Sequence, residues 1–151
     1  LAIPSYPDLA IPIRTAIINN AAIMTNMPDY NGNDNVFSRR PIPVDAPSPQ
    51  IVIGPDISNI DSGGLIDQHL FIKRDIAIYG TNDTAERYRL TEAVAFAVRN
   101  LFHRNKKAIT VSGWNVVNIW TVGPTFAPVD TPDKDVARNV RLTIELIAAS
   151  F

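Results

Sequence analysis

Apolar and polar positions alternate most regularly over two stretches of the chain. From Leu70 to Tyr79, the residues Leu70, Ile72, Ile76 and Ile78 share one side, and Phe71, Lys73, Asp75, Ala77 and Tyr79 share the other. A period of two is that of a strand with one face covered. Arg74 falls on the otherwise apolar side, so it must snorkel, pair with a carboxylate or meet a neighbouring subunit. From Val136 to Ile147 the same pattern returns, with Val140, Leu142, Ile144 and Leu146 inward and Asn139, Arg141, Thr143 and Glu145 outward. Between these strands the period changes. Gly80 to Asp83 is a break, and Leu90, Val94, Ala97, Val98 and Leu101 then recur at helical spacing. Asp83 and Glu86 stand as a helix cap and its reciprocal partner do. His103, Arg104, Lys106 and Lys107 close the helix with cations that suit the negative end of its dipole.

The remaining chain extends this strand–helix–strand unit. Ile13, Ile17, Ala21 and Met24 form a helical stripe that Asp8 can cap, with Pro12 in the first turn and an end near Asn26. Met27 to Asn35 reads as a loop. Asp29, Asn31 and Asn33 alternate like the start of a calcium loop, but the glycine is misplaced and Arg40 stands where a bidentate Glu is needed. Val36 to Arg40 reads as a short edge strand, followed by a stiff connector with Pro41, Pro43, Pro47 and Pro49. Gln50 to Ile57 is a strand able to pair with the long one, bulged or ended at Gly54-Pro55. Asn59 to Gln68 is expected to form a hairpin arm with Asp61, Ser62, Gly63 and Gly64 at its tip. Ile109 to Val122 is β-rich with a bulge at Gly113, and Gly123 to Asp135 is a second loop. The resulting order, α-β-β-β-α-β-β, predicts an α+β fold. Its sheet of four to five strands is mostly antiparallel, with two main helices on one face.

Composition narrows the functional classes. A chain of 151 residues with a formal charge of −1 suits a single domain, 1–151, with residues 1–7 as an N-terminal extension. No run of about 18 apolar residues marks a membrane span. The apolar start, LAIPSYPDLAIPI, lacks the basic leader and cleavage site of a signal peptide. With no cysteine there is no disulfide, thiol nucleophile or Cys-based zinc site. Near-neutral charge argues against tight nucleic-acid binding. No Gly-x-Ser-x-Gly, phosphate loop or dinucleotide fingerprint is present. His69 at a strand start and His103 at a helix end have structural explanations. Asp130, Asp133 and Asp135 read as a solvated turn, and Arg39-Arg40 as a surface pair or an anion grip. No catalysis, metal or cofactor is expected. Surplus aromatics and arginines near edges and loops, including Phe37, Trp114, Trp120 and Phe126, are instead the residues that protein interfaces use.

The order of segments resembles the tail-terminator (tail-completion) proteins of long-tailed phages and gene transfer agents. The residues that carry the resemblance are Phe37-Ser38-Arg39-Arg40-Pro41, then Ala46-Pro47-Ser48-Pro49 leading into Gln50-Ile51-Val52-Ile53-Gly54. The long strand, the helix from Ala85 to Phe102 and a two-strand return ending in Arg138 to Leu146 complete it. The resemblance implies a virion structural protein located at a head–tail junction and assembled in the host cytoplasm. It implies a hexameric homo-oligomeric ring that stacks on the tail tube protein, stops polymerisation and meets a head–tail connector. DNA passes through the lumen without sequence-specific binding, and no membrane is involved. On this reading Asn59, Asp61, Ser62, Gly63, Gly64, Leu65, Asp130 and Asp133 are candidate contacts to tube or connector. Phe37, Arg39, Arg74 and Trp120 are candidate subunit contacts. The rival expectations are another connector or neck ring component, and a small ligand-binding α+β module marked by an apolar pocket with convergent polar groups.

Overall fold

The computed structural model describes residues 6–38, 46–61, 69–81, 84–126 and 136–149. The elements run α1 (Ala10–Ile18), α2 (Ala21–Met24), β1 (Asp29–Tyr30), β2 (Asn33–Asp34), β3 (Val36–Phe37), β4 (Gln50–Asp61), β5 (His69–Gly80), α3 (Ala85–Phe102), β6 (Trp114–Phe126) and β7 (Val136–Ala148). Five strands form one sheet in the order β3-β4-β5-β7-β6, and β1 and β2 pair apart from it. Only β3–β4 is parallel; β4–β5, β5–β7 and β7–β6 are antiparallel. The α+β expectation and its mostly antiparallel sheet therefore hold. Because β5 and β6 each run against β7, they run with each other, and α3 is the crossover between them.

The helices cover one face. Leu9, Ile13 and Ile17 from the first helical segment, and Val94, Ala95, Val98 and Phe102 from α3, pack on Ile51, Ile53, Ile72, Ile76, Ile78, Ile119, Val140, Leu142 and Ile144. Each such side chain contributes about 1.5–3 kcal/mol on burial, so the alternation in β5 and β7 fixes which face is inside. Arg14 Nε reaches the Val36 carbonyl at 3.2 Å and ties α1 to the edge strand. Gly80 lets α3 approach: a Cβ there would lie 2.0 Å from Thr91 Oγ1.

Several local expectations are corrected. The first helix does not run unbroken to Asn26. Asn20 takes an extended ψ of 110° and its side chain accepts from Ile23 N, which starts α2 anew. The break shifts the phase, so Ile23 is buried and Ala21 is exposed. Asp8 does bond Ala10 N, at 3.0 Å. Met27 to Asn35 is not wholly loop, because Asn31 and Gly32, at φ 51° and 78°, turn a two-residue hairpin. Two successive positive φ values are what an Asn-Gly hairpin turn supplies. Thr84 rather than Asp83 caps α3, accepting from Arg87 N at 3.1 Å; Asp83 lies outside the described residues. The strand β4 continues to Asp61, paired with Leu70, so the arm expected from Asn59 begins as sheet. Similarly, β6 runs to Phe126, so the expected loop from Gly123 starts later. Within it Gly123 has φ +109°, and a Cβ would stand 2.5 Å from the Asn139 carbonyl, so glycine alone fits. The bulge expected at Gly54-Pro55 is present as register shifts after Ile53.

Candidate assembly surfaces

Among the described residues, none of the three helices contributes to the hydrophobic cluster on the second face of the sheet. Its rows follow from register: Ser58, Lys73, Thr143 and Trp120 stand side by side, and Asp75, Arg141 and Val122 form the next row. Tyr79, Val52 and Ala137 are packed at one end with Phe37 and Ala77 beside them. Two polar pairs are formed on this face. Arg141 meets Asp75 through Nε and Nη2 at 2.9 and 3.1 Å. That hydrogen bond, and then the carboxylate's charge, hold the guanidinium pKa above its ordinary value against a smaller opposing effect of burial. His69 Nε2 lies 2.8 Å from Glu145 Oε1, with its ring 4.9 Å from that of Phe71. The surface is thus mixed in charge, with these polar pairs already formed.

The edge strand β6 is different in kind. From Trp114 to Phe126 it carries no charged residue. Val122 is 62% exposed and Phe126 is 83% exposed, with Val117 and Trp120 also open. Its backbone is partly taken within the chain, Ile119 O by Arg104 N at 2.8 Å and Ile119 N by Asn118 Oδ1 at 2.9 Å; what the edge offers a neighbour is its charge-free side chains, whereas edges left to solvent usually carry charge. At its far end, Phe126 lies over the buried Arg138 guanidinium, 4.1 Å from ring centroid to Cζ. Arg138 is held there by the Tyr88 hydroxyl at 2.8 Å and an ion pair with Glu92. Tyr88, Glu92 and Phe96 repeat every fourth residue on α3, and Phe96 and Tyr88 are exposed. Exposed aromatics held on a fixed arginine are the composition of interface hot spots.

The residues singled out from sequence are spread over the molecule. Trp120 lies on the β6 edge, whereas Phe37 lies on β3 at the opposite edge, edge-to-face with Tyr30 at 6.1 Å. Arg74 is buried on the helix side, and its Nε and Nη2 donate to the Gly54 carbonyl at 2.9 and 2.6 Å. A shallow cleft of about 280 Å³ beside it is lined by Tyr6, Pro7, Asp8 and Pro55. Asn59 and Asp61 belong to β4, opposite Ile72 and Leu70. Arg39, Ser62, Gly63, Gly64, Leu65, Asp130 and Asp133 lie outside the described residues. Sequence reasoning missed Val122, Phe96 and Arg138 as surface-forming residues, and it named Phe126 only as surplus. The charge-free run from Trp114 to Phe126 was the signal that could have found the edge.

The histidine at the helix end also needs correction. His103 Nδ1 lies 2.8 Å from Thr121 Oγ1. Partial burial first, then the charges of Arg99 and Arg104, lower its pKa from the ordinary 6.5. The lowered pKa weakens it as a partner for the helix dipole; Arg99 is the cation in the last turn. Among the described residues, no group of three His, Cys, Asp or Glu side chains is placed to hold a metal. Among them also, no helix is long and apolar enough to cross a membrane.

No protein-family model and no curated protein matches the chain. Among solved structures it is similar to a chain described as "Virion of native gene transfer agent (GTA) particle". The match covers 93% of both chains at a TM-score of 0.62 and 15% sequence identity. The two chains share a fold. At such identity the likeness is one of architecture, shared over nearly the whole length of each chain.

Proposed function

We propose that this protein is a structural component of a phage-like or gene-transfer-agent-like particle. Within such a particle we assign it to the tail-terminator role. Copies close into a ring at the end of the tail tube, stop its growth and present a surface to the head connector, and DNA passes through the lumen. The likeness in fold to a gene transfer agent virion chain, nearly end to end, is the observation that carries this reading. The charge-free β6 edge, with its exposed Val122 and Phe126, supports it, because a surface of that kind is stable when a neighbour covers it. In a cyclic assembly the edge of one copy meets a different patch on the next, and the rotation closes.

Light scattering on the purified protein, with negative-stain imaging of the main species, is the direct test. Closed rings that bind purified tail tubes and shorten newly assembled tails are expected. Rings that bind a connector but ignore tubes would assign the protein to another position in the neck. A monomer that neither forms rings nor binds tubes would end the reading.

A further inference from the structure

The net charge of −1 conceals a segregation. Residues 84–110 hold six cations, Arg87, Arg89, Arg99, Arg104, Lys106 and Lys107, against Glu86 and Glu92. Glu92 is already paired with Arg138 from β7. The α3 layer is therefore strongly positive and the rest of the chain is correspondingly negative.

We propose that the corner between the end of α3 and the start of β6, carrying Arg104, Lys106 and Lys107, is a contact surface for the phosphate backbone of duplex DNA. The choice of duplex DNA as occupant rests on the ring reading above; the surface itself rests on its own geometry. Helix capping does not account for these cations. Three of the last four carbonyls of α3 are already used: Arg99 O accepts from His103 N at 2.9 Å, Phe102 O from Asn105 N at 3.2 Å, and Leu101 O from Asn105 Nδ2 at 2.9 Å. Among the described residues no carboxylate pairs with Arg104, Lys106 or Lys107, and all three are exposed. Nor is the corner a loose tail. Arg104 adopts φ +53° and its N–H donates to Ile119 O at 2.8 Å, which pins the turn to β6.

The lowered pKa of His103, caused in part by Arg99 and Arg104, agrees with a positive potential at this place. The chemistry fits a phosphate backbone better than a defined peptide. Exposed Lys and Arg stems grip by charge without fixed geometry, and duplex DNA offers a phosphate about every 1.7 Å, in any register. Repeated around a ring, the corner becomes a belt of cations that holds DNA weakly while letting it slide.

The test is binding of a labelled random-sequence duplex, followed by fluorescence anisotropy from low to moderate salt. Wild-type protein is expected to bind with a steep salt dependence. Arg104→Gln/Lys106→Gln/Lys107→Gln should bind at least about tenfold more weakly at low salt, with the log–log slope reduced by about 2.7. The charge-keeping Arg104→Lys/Lys106→Arg/Lys107→Arg should bind as wild type, which separates charge from fold. No binding by wild type, or an unchanged slope in the glutamine variant, overturns the proposal. So does a glutamine variant that keeps its DNA slope but loses a protein partner, since that would identify an acidic protein surface. Solution mass measured on the same samples keeps the two readings apart. A ring indifferent to DNA sinks this inference alone, whereas a monomer whose DNA binding depends on the corner sinks the ring alone.

Discussion

Arg74 joins two strands from within the core. The Gly54-Pro55 bulge interrupts the ladder, and the freed Gly54 carbonyl is taken up by two guanidinium N–H groups. A hydrogen bond to a charged group is worth about 1.5–3 kcal/mol, and its loss leaves a carbonyl unpaired under the helices. Arg74→Ala should therefore lower the unfolding free energy by about 2–4 kcal/mol in urea titration. A loss well below about 1 kcal/mol would mean that Gly54 finds another partner. The need for a partner was legible in the sequence, because an arginine stood among isoleucines. The identity of that partner was not, since it depends on which carbonyl a bulge releases.

His103 gives a residue-scale prediction in pH. Its folded pKa is below 6.5, so the unfolded chain takes up the proton first as pH falls. Stability from this group is complete above the unfolded value and declines as pH drops through it towards the folded one. His103→Gln should flatten the melting temperature between about pH 7 and pH 5 relative to wild type. Equal pH slopes in the two proteins would show that the imidazole is not the group responsible.

At the scale of elements, the approach of α3 to β5 depends on one missing Cβ. Gly80→Ala would drive a methyl group into Thr91, whose Oγ1 now donates to Arg87 O at 3.1 Å. Overpacking of this kind costs about 1–3 kcal/mol. Thr91→Ala in the same chain should recover part of that loss, because it removes the atom in closest conflict; strictly additive losses in the double mutant would show no contact between the sites. The elements themselves were readable because β5, β7 and α3 each bury one face, and burial writes a period into the sequence. Their ends were less readable. Both β4 and β6 continue past register shifts, after Ile53 and after Val122, to Asp61 and Phe126, so the alternation is broken although the pairing resumes. The break at Asn20 was hidden for a related reason: Ile23 continues the apolar stripe across it in a new phase.

At the scale of the whole molecule, assembly should depend on the β6 edge more than on any single loop. Trp120→Lys with Val122→Lys places charge on that edge at two exposed positions, which leaves the helix-side core intact. The variant should keep its melting temperature within a few degrees and fail to form the proposed ring by light scattering, and a ring of the mass formed by wild type would move the proposed subunit contact elsewhere. The candidate surfaces were only partly legible, because an interface is written in what is absent, here charge, and in the pairing of residues as distant as Tyr88, Phe126 and Arg138. Among the described residues the two borders of the sheet also differ in form: β6 runs for 13 residues on one side, and on the other the two residues of β3 stand beside Ile51 and Val52 of the 12-residue β4. Edge-to-edge pairing of two copies would set the 13-residue border of one against the stepped border of the other, so the two do not match strand for strand, and fibre-like repetition is disfavoured relative to docking on a different patch.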